Sequence, residues 1–140
     1  MASIQRDILI DASASTLWKA LSDVGALHTR LVPGFVTHCE LDGSIEGELA
    51  RNIRFANGIE TREIIVSADA EKRRLVWTAA GGRLTHHNAS AQVLPEGDSR
   101  CRVVWVADLL PHAMAPAIAA MIEAGLQAMK AHAEAVPTRI

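Results

Sequence analysis

The segment from Phe35 to Leu110 constrains the architecture most, because its turn signals come too close together for anything but antiparallel neighbours. Asp42-Gly43, Asn57-Gly58, Asp69-Ala70-Glu71-Lys72, Gly81-Gly82 and Pro95-Glu96-Gly97-Asp98 are built from residues that tolerate left-handed backbone or hydrogen-bond their own turn. Five or six strands of ordinary length fit between them. A parallel pair needs a crossover of a dozen or more residues, and no gap has that room. The segment is therefore predicted to be an antiparallel meander.

The flanks read differently. Ile4 to Asp11 is short and rich in branched residues, so it is predicted to be a strand. Ser13 follows as an N-cap, its hydroxyl free to accept an orphan backbone N–H. Leu17, Trp18 and Leu21 then recur at helical spacing, and Asp23-Val24-Gly25 ends that helix. A second short helix is expected over Ala26 to Leu31, ahead of the Pro33-Gly34 break. At the other end, His112 to Val136 is Ala-rich and predicted to be one long amphipathic helix, with Pro116 tolerated in its first turn. At 100° per residue, Ile118, Met121, Ile122, Gly125, Met129 and His132 share one side, and Glu123, Gln127, Lys130 and Glu134 the other. Two short helices after strand 1, a meander and a final long helix make an α+β fold whose curved sheet must bury its apolar face against that helix.

The whole chain of 140 residues is expected to form a single domain, residues 1–140, large enough to bury roughly 68–70% of its unfolded surface. With 14 Lys and Arg against 16 Asp and Glu, the formal charge is −2, which argues against a nucleic-acid partner that needs a basic face. No stretch reaches the ~18 apolar residues of a membrane helix. The first residues, Met1 to Asp7, carry charge where a secretory apolar core would run. A cytoplasmic protein without stable membrane insertion, monomeric or homodimeric, is expected. Cys39 and Cys101 stand apart with neither disulfide nor metal spacing, and no metal or cofactor is expected.

Side-chain parity divides the sheet into faces. If the hairpin pairs about Gly97, Val93 faces Cys101, Ala91 faces Val103, Ala89 faces Trp105 and His87 faces Ala107. The alternate set (Gln92, Ser90, Asn88 and His86 against Arg102, Val104, Val106 and Asp108) is far more polar, so the first set turns to the core. His86 and His87 then point to opposite faces. By the same test Leu49, Arg51, Ile53 and Phe55 point inward and Asn52 and Arg54 outward. Glu63 and Ile65 share a face, as do Leu75, Trp77 and Ala79. An inward Arg51 and an inward Glu63 on neighbouring strands are expected to pair, because a lone buried charge is costly.

With these elements in order, the chain resembles the START-like (SRPBCC) superfamily, in particular its polyketide cyclase/dehydrase and lipid-transport-like branch. The resemblance rests on Ala12-Ser13-Ala14-Ser15-Thr16-Leu17-Trp18 leading to Leu21-Ser22-Asp23, on Gly47 to Arg51 before Asn57-Gly58, and on Arg62-Glu63-Ile64-Ile65 and Arg73-Arg74-Leu75-Val76-Trp77. It continues through His86-His87-Asn88-Ala89-Ser90, Val104-Trp105 and Asp108-Leu109-Leu110-Pro111. The resemblance implies a helix-grip fold, a curved seven-stranded antiparallel sheet wrapped around the C-terminal helix. It also implies an elongated apolar cavity between the two, used for lipids, sterols, hormones or polyketides, with cyclisation or dehydration in some members. It carries no shared catalytic motif onto this sequence.

The residues themselves offer His87, Arg51 and Glu63 as catalytic candidates. An inward imidazole can act as acid or base near neutral pH, or it can be a core histidine bonded to backbone. Arg51 with Glu63 can read a polar ligand group or serve as a structural pair. Phe55, Glu63, Trp77, His87, Trp105, Met121, Gly125 and Met129 are the expected ligand-binding residues, with the aromatic rings as walls and Met as adaptable packing. Gly125, mid-helix in the apolar stripe, costs about 1 kcal/mol against Ala, so it marks either room for a ligand or close packing of helix on sheet. His28 near the expected cavity mouth and His132 near the far end of the helix are lesser candidates. The leading function is binding of a small hydrophobic or amphipathic molecule beneath the helix. The alternative is a cyclase or dehydratase with His87 as acid/base and Arg51 stabilising a carbonyl or enolate. A third reading, an interaction protein akin to chaperone activators of the superfamily, predicts an exposed apolar patch and no cavity.

Overall fold

A computed structural model describes residues 2–80 and 82–135. Gly81 of the Gly81-Gly82 turn and Val136 at the expected helix end lie outside the described residues. The elements run β1 (Ala2–Ile10), α1 (Ala14–Ser22), a π-helical turn (Leu27–Leu31), β2 (Val36–Asp42), β3 (Ala50–Phe55), β4 (Glu60–Asp69), β5 (Arg74–Ala80), β6 (His86–Pro95), β7 (Cys101–Leu110), a 3₁₀ turn (His112–Met114) and α2 (Ala115–Ala135). The sheet has seven strands in the order β1-β7-β6-β5-β4-β3-β2, antiparallel throughout. Six of them form the meander, and β1 closes it beside β7. This is the helix-grip architecture.

Local chemistry explains the joints. Ser13 Oγ accepts from the Thr16 amide at 3.1 Å and caps α1, whose Ala14, Leu17 and Leu21 are buried. The second helix is a single wide turn, closed by Val32 N–H on the Leu27 carbonyl at 2.8 Å. In the β3–β4 turn Asn57 Oδ1 accepts from Ile59 N–H at 3.0 Å. Gly58 there takes φ +89°, a left-handed conformation that other residues reach at a cost.

The β6–β7 register differs from that expected. The hairpin pairs Val93 with Val103, Ala91 with Trp105, Ala89 with Ala107 and His87 with Leu109, two residues along from a hairpin centred on Gly97. The turn is wider than its glycine suggests, closed by Glu96 N–H on the Arg100 carbonyl at 3.0 Å. A slip of two preserves the faces, because the strand period is two. His86 is exposed and His87 half-buried. Leu49, expected inward, is 46% exposed. It precedes β3, holding Ile65 N–H through its carbonyl at 2.8 Å while its side chain stays on the rim.

α2 lies across the inner face with Ile122, Gly125, Leu126 and Met129 buried. The buried stripe is rotated from the expected one, towards Leu126 and away from Met121 and His132, which are half-buried. The helix is tied along its length to β1 and the residue that follows it. Arg6 Nε meets Glu123 at 2.9 Å, Lys130 Nζ donates to the Leu9 carbonyl at 2.8 Å, and Glu134 accepts from Asp11 N–H at 2.9 Å. No described helix is long and apolar enough to cross a membrane.

Candidate functional site

Small side chains on the sheet help open the space beneath α2: Ala79 on β5 and Ala91 on β6 line it. The result is a cavity of ≈ 630 Å³, within the usual range for a small-molecule site. Two aromatic pairs frame it. Trp77 and Trp105 meet edge to face with centroids 5.6 Å apart, and Phe35 and Phe55 do so at 5.4 Å; all four rings line the space, with Met121 and Met129 from α2. Ile59, 51% exposed, stands at the open end with Gly82, Arg83, Met114 and Ala117.

Polar groups on the wall lie in one row across the strands. Arg51 on β3 is directly opposite Glu63 on β4, and Glu63 is opposite Ala79 on β5. His87 on β6 is next in line. Arg51 donates to Glu63 Oε1 from Nε at 2.9 Å, and its Nη2 makes an ion-pair contact with the same oxygen at 2.8 Å. Its Nη1 reaches the Val24 carbonyl at 3.3 Å, and the guanidinium sits 5.8 Å from the Trp77 ring centroid, a cation–π distance. The side chains retain 3% and 11% exposure, so both charges are inside and matched.

His87 has an unusual neighbour. The β5–β6 ladder ends at Trp77 and Ala89. One step further, Ala79 N–H donates to His87 Nδ1 at 3.1 Å, and the Thr78 hydroxyl donates to the His87 carbonyl. The imidazole thus replaces a backbone carbonyl in the ladder. Because Ala79 N–H is unambiguously a donor, Nδ1 must be the bare nitrogen and Nε2 carries the proton. Burial holds His87 below the ordinary histidine value, with Glu63 raising it part of the way and His86 lowering it further. Neutral His87 is therefore a hydrogen-bond donor on the cavity wall.

Of the residues expected to bind ligand, Phe55, Glu63, Trp77, His87, Trp105, Met121 and Met129 line the cavity. Gly125 does not. A Cβ there would stand 2.9 Å from Trp105 Cζ3 and 3.2 Å from Phe35 Cε2, so its missing side chain admits an indole ring, not a ligand. His28 and His132 are also off the wall. His28 instead stacks obliquely on His38 at 6.2 Å. Cys39 and Cys101 are buried free thiols, and burial pushes Cys101 up to about 11, so it stays protonated at neutral pH. The sequence reading missed Phe35, Thr61, Arg83 and Met114. Thr61 shares parity with Glu63 and was within its reach; the others sit in turns, where parity has no meaning.

Comparisons with known proteins agree with this geometry. The chain is similar to the di-domain ARO/CYC BexL of the BE-7585A biosynthetic pathway, with TM-score 0.83 and 17% identity over 97% of this chain and 47% of that one, so it spans about half of the di-domain. It is similar to norcoclaurine synthase of Thalictrum flavum, solved with dopamine and hydroxybenzaldehyde, with TM-score 0.70 and 19% identity over 99% of this chain and 89% of that one. A protein of Thermobifida fusca solved by NMR has TM-score 0.73 and 29% identity, covering 95% and 90%. A search of curated protein sequences found no match. Residues 1–134 match the sequence profile of the family described as polyketide cyclase / dehydrase and lipid transport; with its seven-stranded grip on α2, the chain belongs to that family, a branch of the SRPBCC proteins.

Proposed function

We propose that the protein binds a small hydrophobic or amphipathic molecule in the cavity between sheet and α2. The ≈ 630 Å³ space framed by Trp77, Trp105, Phe35 and Phe55 carries this reading. Such a volume left dry would forfeit the dispersion contacts that close packing supplies elsewhere. Phe55, Trp77, Trp105, Met121 and Met129 act as apolar walls, and Glu63 and His87 as the polar contacts. The alternative, a cyclase or dehydratase reaction, asks His87 to move a proton. Its neutral tautomer has Nδ1 occupied by Ala79 N–H and Nε2 already protonated. It can accept a proton only by losing that bond, and it can donate one only by becoming an imidazolate. Arg51 is likewise committed to Glu63 and the Val24 carbonyl. Both facts favour binding over proton transfer.

The test is titration with Nile red, a neutral apolar dye, on wild type and on Ile118→Trp, which fills the cavity from α2. Saturable binding to wild type and a loss of about tenfold or more in the variant, with its unfolding midpoint retained, is expected. No dye binding to wild type, or equal binding to both, would refute the reading. Native mass spectrometry of freshly purified protein should show a co-purifying small molecule.

A further inference from the structure

We infer that the polar row selects a neutral hydroxyl-bearing ligand, an alcohol or phenol, and rejects the matching carboxylate. This rests on the cavity-binding reading above. Both nitrogens that Arg51 turns on Glu63 reach the same oxygen, Oε1, one by a hydrogen bond and one as an ion-pair contact. Oε2 has no protein partner among the described residues, although Glu63 is only 9% exposed and lines the cavity. An unpartnered carboxylate oxygen on a largely apolar wall is an acceptor waiting for a donor.

The next residue in the row is Ala79, whose methyl leaves a gap, and beyond it stands His87. That imidazole leans onto β5 through Ala79 N–H at 3.1 Å, which brings it towards Glu63 and leaves Nε2–H without a protein partner. A hydroxyl is the group that suits this pair, because it can donate to Glu63 Oε2 and accept from His87 Nε2–H. A carboxylate is excluded by the charge balance. Arg51, the cation within the row, is already neutralised by Glu63, so an entering anion would face the free carboxylate oxygen in a poorly screened space. Arg83 and Glu60 also line the space but stand at its open end, and Glu60 is paired with Arg54 at 2.5 Å.

Three probes of one shape decide the matter: 2-naphthol, naphthalene and 2-naphthoate, each titrated calorimetrically into the whole protein near neutral pH. Wild type should bind 2-naphthol about tenfold or more tighter than naphthalene, the scale of one hydrogen bond to a charged group, and naphthoate weakest. Glu63→Gln removes the negative charge and frees Arg51, so naphthoate should gain about tenfold or more and overtake naphthalene. Naphthalene binding wild type as tightly as 2-naphthol would overturn the hydroxyl selection while leaving the cavity reading intact. Naphthoate matching 2-naphthol on wild type would overturn it too. If none of the three binds, both readings fall. These wild-type comparisons decide even if Glu63→Gln does not fold.

Discussion

Gly125→Leu tests whether α2 and the sheet meet where Trp105 fills the space of a missing side chain. Carbon atoms pack comfortably at about 3.5–4.0 Å, whereas a Cβ at this position meets Trp105 at 2.9 Å and Phe35 at 3.2 Å. The first added carbon alone therefore overlaps the indole by roughly half an ångström, and leucine adds three more. Neither ring yields freely: Trp105 is wedged edge-on against Trp77 and Phe35 against Phe55. Replacing a mid-helix glycine returns about 0.8–1 kcal/mol of helix propensity. Overpacking costs about 1–3 kcal/mol or more, and two wedged rings put this site at the upper end, so the expected outcome is a net loss of about 2 kcal/mol, with a fall of roughly 3 °C in Tm per kcal/mol. Gly125→Ala, with the same propensity gain and only the first carbon, should be much milder. Urea unfolding read by tryptophan fluorescence measures both. An unchanged or raised midpoint for Gly125→Leu would show that the helix does not approach Trp105 as described.

Two further outcomes follow from the polar row. Arg51→Met and Glu63→Gln should each cost about 3–5 kcal/mol, because each strands a buried charge, and the double variant should cost less than the sum; additivity within ~0.5 kcal/mol in urea unfolding would show no coupling. His87, held below the usual histidine value by burial, binds fewer protons folded than unfolded between its lowered value and about 6.5. Its contribution to stability is thus complete above about 6.5 and is lost as pH falls through that window. NMR titration should place His87 below the ordinary histidine value. A His87 that titrates at or above that value would remove the argument for its neutral tautomer.

Much of this architecture could be read from spacing alone, and the reason is parity. Short turns left no room for crossovers, and alternation then assigned Arg51, Glu63, Trp77 and His87 to the cavity side. Even the mistaken register at Gly97 did no harm to those assignments, because the true hairpin lies two residues along and the faces repeat every two. Helix periodicity was less robust. The apolar stripe omits Leu126, which is buried, and includes Met121 and His132, which are half-buried; ties from α2 to Arg6, Leu9 and Asp11 hold the helix, and these partners are over a hundred residues away in sequence. Gly125 was ambiguous for a different reason. An absent side chain signals space in the sequence, but only packing decides whether a ligand or a tryptophan takes it.

His87 marks where such reasoning stops being about faces. Parity turns its side chain inward, and composition makes it look like the natural acid or base of the site. What decides its chemistry is one bond, Ala79 N–H to Nδ1 at 3.1 Å, formed only because the β5–β6 ladder stops one step too early for the backbone to supply the acceptor. That bond fixes the tautomer, and burial opposes the protonation that would break it. The imidazole becomes a fixed donor in the same row as Glu63, one strand beyond Ala79. A ladder running one pair further would give Ala79 N–H a backbone partner, free Nδ1, and turn the same residue on the same face back into a candidate base. The face of a strand residue follows from sequence period, but its proton inventory follows from where the neighbouring ladder ends.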